Sequence, residues 1–155
     1  MMGSTTGYHL GHLNVARLVA PLESPELASF MAELDGVNAL ADAAPGFVWR
    51  LMDDTGNATN LRPWGDETLV NMSVWESVEA LQRYTYAPGH LDVLRRRREW
   101  FLPMDTNHVV LWWVPVGHEP LMVEAQERLA LLDERGPTAD AFTFRTLFEP
   151  PGSAG

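Results

Sequence analysis

The stretch from Leu69 to Leu94 constrains the fold most, because it joins a two-faced strand to two helical segments. Its first part alternates in polarity with the period of two that strand side chains follow, and it ends at Trp75. One face of this strand is polar or aromatic: Asn71, Ser73 and Trp75. The other face is apolar: Val70, Met72 and Val74. An apolar face opposite an amide, a hydroxyl and an indole is typical of a sheet that lines a ligand cavity.

The remaining chain predicts five strands and four helical segments in the order β-α-β-β-α-β-α-β. Strands are predicted at about residues 8–20, 47–52, 67–75, 108–114 and 140–147. Helices are predicted at about 25–43, at 76–101 with an interruption at Pro88 and Gly89, and in a last segment that ends at Gly136. The first six elements are those of a ferredoxin-like α+β domain with an antiparallel sheet. We expect one domain at residues 8–148, with flexible tails at 1–7 and 149–155 and with an extra C-terminal helix and strand.

Composition excludes several classes of function. The formal net charge of −10 argues against nucleic-acid binding, which needs a positive potential to displace counterions. The chain of 155 residues has no cysteine, so disulfides and thiolate metal sites are excluded. No apolar run approaches the roughly 20 residues that span a bilayer, so no membrane partner is expected. No secretory signal is recognisable either, and the expected location is the cytoplasm.

The charged and metal-ligating residues form no recognisable catalytic motif. The five histidines are scattered, no HExxH motif occurs, and no metal is expected. The four arginines at 95–98 point around the helix, which favours solvated charges over a phosphate clamp. His118 is expected to pin a turn, and Glu124 and Glu127 are expected to be solvated on the last helix.

Six phrases along the chain resemble a known family: HLNVARL, GFVWRL, NMSVWESVEAL, RRREWF, LWWVPVGHEP and GPTADAFTFR. They cover about residues 9–148 and resemble an uncharacterised domain-of-unknown-function family within the dimeric α/β-barrel superfamily. That superfamily includes the antibiotic-biosynthesis monooxygenases and the IsdG-type haem-degrading enzymes. The resemblance implies a homodimer of ferredoxin-like sheets, with helices on one face of each sheet and a pocket enclosed by the other faces.

The resemblance also implies candidate site residues. In the cofactor-free monooxygenases an Asn and a Trp four residues apart on a strand sit in the pocket, and Asn71 and Trp75 have this spacing. In the haem-degrading enzymes a first-strand Asn, a Trp that ends the third strand and a later His serve haem. Asn14, Trp75 and His90 match these in kind, although the interval from Trp to His is longer here.

The predicted catalytic residues are therefore Asn71 as a donor, Trp75 as an aromatic wall and His90 as a base. The predicted substrate-binding residues are Asn14, Arg50, Tyr86, Trp112 and Trp113. Each also has an ordinary structural explanation: a core indole, an amide that ties the backbone, a histidine in a first helical turn, or an arginine in an ion pair. Trp112 and Trp113 are predicted to point to opposite faces of their strand.

Three functional hypotheses follow. The first is a cofactor-independent monooxygenase-like oxidoreductase that acts on an aromatic or polyketide-like small molecule. The second is a haem-binding or haem-degrading protein. The third is a non-oxidative ligand-binding protein, isomerase or cyclase that uses the same pocket, since one fold serves many activities.

Overall fold

The computed structural model describes residues 7–152. Its strands are β1 (Tyr8–Leu18), β2 (Phe47–Arg50), β3 (Thr68–Trp75), β4 (Phe101–Leu102) and β5 (Val109–Pro115). Its helices are α1 (Ala28–Asp42), α2 (Val78–Thr85), α3 (Pro88–Arg95), α4 (Arg97–Trp100) and α5 (Met122–Arg135), with a 3-10 turn at Pro25–Leu27 before α1. Among the described residues, no helix is long and apolar enough to cross a membrane.

The sheet is antiparallel and has β1 at its centre. On one edge β1 pairs with β3, which in turn pairs with β2. On its other edge β1 pairs with β5 over Tyr8 to Asn14 and with the two-residue β4 at Arg17 and Leu18. The order β2-β3-β1-β5 is that of a ferredoxin-like sheet. The predicted α+β class and ferredoxin-like antiparallel sheet are confirmed.

The two faces of the sheet differ in composition. The apolar face is formed by Leu13, Val15, Val70, Met72, Val74, Val110, Trp112 and Val114. The polar face carries the alternate residues, which include His12, Asn14, Asn71, Ser73 and Trp75, because the register sets β1 against β3 residue by residue. The alternation in the sequence predicts this division correctly.

The apolar face is covered by the chain's own last helix. Ala125, Leu129 and Leu132 of α5 pack on it and are buried. Trp112 reaches this layer because Gly11 opposes it on β1, where an added Cβ would lie 2.9 Å from the indole Cε2. The resemblance led us to expect a pocket on the face away from the helices, and this is wrong for the described chain. Apolar side chains of α5 fill that face and exclude water from it.

The polar face is covered by the other helices, but only at its two ends. Around Leu10 and Trp75 it packs against α2 through Ala80 and Leu81. Around Leu18 and Leu69 a second cluster packs against it through Leu27, Phe30 and Trp100. The helices predicted for the ferredoxin-like unit thus lie on one face, and the additional α5 lies on the other.

Two predicted elements differ from the structure. The interruption predicted at Pro88 and Gly89 is present, because Ala87 before Pro88 adopts an extended conformation. The second helical segment, expected to continue to 101, is divided again at Arg96 into α3 and α4. The strand expected at 140–147 makes a single bridge to the sheet, between Phe142 and Leu111. Two further bridges, Thr138–Ala141 and Thr143–Thr146, lie within the turns of the segment itself. The tail predicted at 1–7 lies outside the described residues except for Gly7.

Candidate functional site

The middle of the polar face is open to solvent. Asn71 is exposed although it lies within β3, the neighbour of the central strand, and Asn14 opposite it is only half-buried. The Asn14 amide donates to the His108 carbonyl at 3.4 Å. We call the central group His12, Asn14, Asn71 and Ser73 the sheet floor. A polar, accessible floor between two helix clusters is a site where a ligand can lie against the sheet.

Ser73 is the buried member of the sheet floor, and its hydroxyl contacts two rings. Its Oγ accepts a hydrogen bond from the Trp75 indole Nε1 at 2.9 Å, and it lies 3.4 Å from Nδ1 of His12. Ser73 and Trp75 are both buried, with 6% and 1% of their surface exposed. The predicted Trp75 therefore lies under the floor, and its one donor already has a partner.

An aromatic stack continues from Trp75 towards the helices. Phe47 meets Trp75 edge-on at 5.4 Å between ring centroids, and Tyr84 of α2 stacks on Trp75 at 5.1 Å. His90 of α3 lies against Tyr84 at 4.8 Å. The Tyr84 hydroxyl donates to the Val37 carbonyl at 3.2 Å, and burial raises the pKa of Tyr84 to about 12. The Trp75 ring is thus enclosed by Phe47 and Tyr84 and positions Tyr84 rather than facing solvent.

His90 is held in one tautomer. Its Nδ1 lies 3.0 Å from the Thr85 carbonyl, which can only accept, so Nδ1 carries the proton and Nε2 is free to accept one. Burial lowers the pKa of His90, and the Thr85 hydrogen bond offsets this only in part. A neutral histidine with an available Nε2 has the properties of a general base. His90 also lines a cleft of about 210 Å³ with Leu40, Ala44, Pro45, Ala80, Arg83, Tyr84, Ala87 and Gly89.

The histidine on the floor itself was not among the predicted site residues. Burial, and then the positive charge that His90 can carry, lower the pKa of His12 to about 4. The Phe144 ring lies 6.4 Å from the His12 ring, which brings the C-terminal segment to the floor. The sequence did carry a signal for His12, since it lies two residues from Asn14 on the same strand face. Phe144 had no comparable signal, because a tertiary contact places it there.

Arg50 borders the floor, since it pairs across the sheet with Ser73, but its guanidinium is engaged elsewhere, and Tyr86 points into solvent. Arg50 forms an ion pair with Asp42 at 2.8 Å and also donates to the Gly56 carbonyl at 2.8 Å. Its guanidinium connects β2 to α1 through an ion pair, the structural role that the sequence also allows for Arg50. Tyr86 follows the last turn of α2 and is 68% exposed, and it does not line the cleft beside His90.

The paired tryptophans of β5 point to opposite faces, as alternation predicts. Trp112 is buried on the apolar face, where its Nε1 donates to Glu124 of α5 at 2.9 Å. Trp113 lies on the polar face, and its Nε1 donates to the Phe148 carbonyl at 2.9 Å. Trp113 lines a second cleft of about 270 Å³ with Tyr8, Glu76, Val78, Glu79, Leu147, Phe148, Glu149 and Pro150. The two clefts share no lining residue.

Glu124 is not the solvated carboxylate that the helix pattern predicts. It accepts hydrogen bonds from Trp112 and from His118 Nε2, the latter at 2.7 Å. Burial raises the pKa of Glu124, but these hydrogen bonds outweigh burial and leave the pKa below its usual value. This cluster fastens α5 to the apolar face. Within residues 7–152, no group of three or more histidine or carboxylate side chains is placed to hold a metal ion.

Comparison with known proteins yields one family and a set of similar folds. A model of the family described as domain of unknown function (DUF3291) matches residues 9–154. No curated protein matches the chain. The chain is similar to the solved structure of SnoaB, a cofactor-independent oxygenase from Streptomyces nogalater, with 20% identity, a TM-score of 0.46, and coverage of 74% of this chain and 97% of that chain.

Two further solved structures are similar to the same degree. A protein from Chloroflexus aurantiacus assigned to the antibiotic biosynthesis monooxygenases has 19% identity, a TM-score of 0.48, and coverage of 72% of this chain and 97% of that chain. A conserved protein from Methanosarcina mazei Go1 has 10% identity, a TM-score of 0.49, and the same two coverages. At these identities and TM-scores, the likenesses do not bear on what the chain does.

Proposed function

The chain belongs to the DUF3291 family of domains of unknown function, and we propose that it is a cofactor-independent oxygenase whose substrate, a small aromatic molecule, lies on the sheet floor. The observation that carries this proposal is the accessible pair of amides, Asn14 and Asn71, which face each other in the middle of a sheet whose ends are covered by helices. The register of β1 and β3 fixes the backbone positions of the two residues. Fixed neutral donors stabilise negative charge that develops on a bound oxygen atom.

The remaining groups suit an aromatic substrate with an acidic C–H or O–H bond. Phe144 and the Tyr84 ring supply apolar contact surface near the floor, and His90 supplies a neutral base. A cleft of about 210 Å³ beside His90 lies below the roughly 300–1,000 Å³ that drug-sized ligands occupy. A substrate on the floor can therefore place only a small group in this cleft, since the cleft is lined by none of the floor residues.

The proposed reaction needs oxygen as its only co-substrate. His90 removes a proton from the substrate methylene or hydroxyl, and the amides of Asn14 and Asn71 bind the oxyanion that results. The anion transfers one electron to dioxygen, and the two radicals combine at the substrate carbon. Loss of water then leaves a carbonyl group, so that R₂CH₂ and O₂ give R₂C=O and H₂O.

Haem is the cofactor that the resemblance raises, and His90 is the residue that would ligate it. Its Nδ1 donates to a backbone carbonyl, which is the arrangement of a metal-bound imidazole. The surroundings do not fit, however, because the cleft of about 210 Å³ beside His90 is too small for a porphyrin, a ligand larger than most drugs. We derive no step through haem. In a hemin titration, we expect the Soret band of wild-type protein and of His90→Ala to behave alike. A Soret shift in wild type that is lost in His90→Ala would contradict this.

Oxygen uptake tests the proposal. Purified protein is supplied with anthrone, 1,4-dihydroxynaphthalene and 1-naphthol, and oxygen consumption is followed with an electrode while products are identified by mass spectrometry. Asn71→Ala should lower kcat by about 10²-fold, the usual effect of removing one oxyanion donor. Asn107→Ala removes another exposed amide, which bonds Asp133 away from the floor, and should leave the rate unchanged.

Three outcomes contradict the proposal. A panel that is inert with wild-type protein removes the oxygenase activity on this substrate class. An Asn71→Ala variant that keeps wild-type rates removes the sheet floor as the active site. Product formed without oxygen uptake assigns the site to a non-oxidative isomerase or cyclase instead. Circular dichroism of each variant verifies that it is folded.

A further inference from the structure

We infer that His12 is a catalytic residue of the sheet floor, and that it acts as a neutral hydrogen-bond donor through Nε2–H because Ser73 fixes its tautomer. This inference rests on the proposed function, since it names a third donor for the same bound oxygen. Its first test measures the tautomer and does not depend on any substrate.

The Trp75 indole determines the direction of the hydrogen bonds. An indole N–H can only donate, so the Ser73 Oγ at 2.9 Å from Nε1 must accept. The one proton of the Ser73 hydroxyl is then available to a second partner. The nitrogen in reach is Nδ1 of His12, at 3.4 Å. The second lone pair of Oγ can also accept from a protonated Nδ1, but the Ser73 proton would then have no acceptor among residues 7–152. With Nδ1 as the acceptor both groups are satisfied, and the ring proton lies on Nε2.

Nε2 of His12 is accessible and is not engaged by another group among the described residues. The ring is half-buried rather than enclosed. Asn14 follows two residues later on the same face of β1, at roughly 6–7 Å along the strand. In the proposed complex, a substrate oxygen bound between the two side chains accepts from both donors at an ordinary hydrogen-bond length of about 3 Å. Together with Asn71 across the ladder, they form a three-donor seat.

The surroundings keep His12 uncharged. Desolvation of the half-buried ring disfavours its charged form, and His90 from α3 adds unfavourable charge if both are protonated. The other groups around it, Ser73 and Trp75 of β3 and Phe144 of the C-terminal segment, are neutral. A neutral imidazole N–H polarises a substrate oxygen and keeps its proton, whereas a charged imidazolium would give its proton up. The three donors of the floor therefore stabilise the negative charge on the substrate oxygen, and His90 removes the proton.

Nitrogen NMR of the histidine side chains tests the tautomer directly. In full-length protein at pH 7, the His12 resonances, assigned with His12→Gln, should show a protonated Nε2 and an unprotonated Nδ1. Ser73→Ala should abolish this preference, and Ser73→Thr, which keeps the hydroxyl, should retain it. A protonated Nδ1 in wild-type protein would overturn the inference, and so would an unchanged tautomer in Ser73→Ala.

Turnover tests the catalytic role separately. With a substrate that consumes oxygen, His12→Leu should lower kcat by about 10²-fold with a smaller change in KM. His12→Gln keeps an N–H donor and should recover most of this loss, while His108→Gln, an exposed histidine, should be silent. Equal losses in His12→Gln and His12→Leu would contradict the donor role. If no substrate consumes oxygen, the proposed function fails while the tautomer result stands by itself.

Discussion

At the scale of single residues, His12 shows how a position in the fold sets the chemistry of a side chain. An exposed histidine of ordinary pKa, about 6.5, would be partly charged in neutral solution. On the sheet floor the pKa is about 4, because the half-buried ring is desolvated and His90 lies near it. The same residue is therefore a neutral donor here, and its protonation is coupled to folding.

This coupling predicts a pH dependence of stability. Between pH 6.5 and about 4 the unfolded chain binds a proton at His12 and the folded chain does not, so the free energy of unfolding falls as pH falls. A difference of about 2.5 pKa units corresponds to at most about 3.4 kcal/mol. Urea titrations at pH 7, 5.5 and 4.5 should show a shallower decline for His12→Gln than for wild type.

The comparison between variants is needed because other groups titrate in the same direction. His90 also has a lowered pKa, and Glu124 loses its hydrogen bonds when it is protonated. These contributions are present in wild type and in His12→Gln alike, so the difference between the two reports His12. His108→Gln should follow wild type. Parallel pH curves for wild type and His12→Gln would show that His12 keeps its ordinary pKa in the folded chain.

At the scale of elements, α5 is fastened to the sheet by a polar contact as well as by apolar packing. Glu124→Ala leaves the buried Trp112 indole without an acceptor, which should cost about 1–3 kcal/mol. Glu127→Ala, on the exposed side of the same helix, should change stability by less than about 0.5 kcal/mol. Chemical denaturation measures both. Equal effects would mean that Glu124 is as solvated as the helix pattern alone implies.

The elements that the sequence predicts well are those with a strong local period. The alternation of β3 and the helical spacing of α5 are properties of neighbouring residues, so their location and faces were predicted correctly. The partner of Glu124 and the enclosure of Trp75 by Tyr84 depend on which elements meet, and the local pattern does not contain this information. For the same reason the segment around Phe142 looks like a strand but forms only one bridge to the sheet.

The candidate site follows the same division. Asn14 and Asn71 were predicted to share a face, and the register sets them opposite each other. His12 shares that face, but burial is what gives it an unusual pKa, and burial depends on helices far along the chain. Trp75 was predicted as a pocket wall, whereas Tyr84 and Phe47 enclose it. Its residue type and spacing fit a pocket wall, but only the packed helices show how far it is from solvent.

At the scale of the whole molecule, both faces of the sheet are used within one chain. Helices α1 to α4 pack on the ends of the polar face, and α5 packs on the apolar face. The homodimer that the family resemblance implies remains a prediction. If two chains associate, neither apolar sheet face is available to the partner, since apolar side chains of α5 already bury it. The interface must then lie outside the hydrophobic core of each chain.

An interface outside the core predicts a dimer that separates into folded monomers. Obligate dimers that share a core have no stable monomer, so their melting temperature rises with protein concentration. Here light scattering should give twice the mass of one chain at high concentration and a falling mass on dilution. Circular dichroism should show that the dilute monomer still melts cooperatively, with a melting temperature only slightly below that of the dimer, because association of folded monomers adds a small mass-action stabilisation. A monomer at every concentration would contradict the dimer, and a melting temperature that rises steeply with concentration would show that the two chains complete one core together.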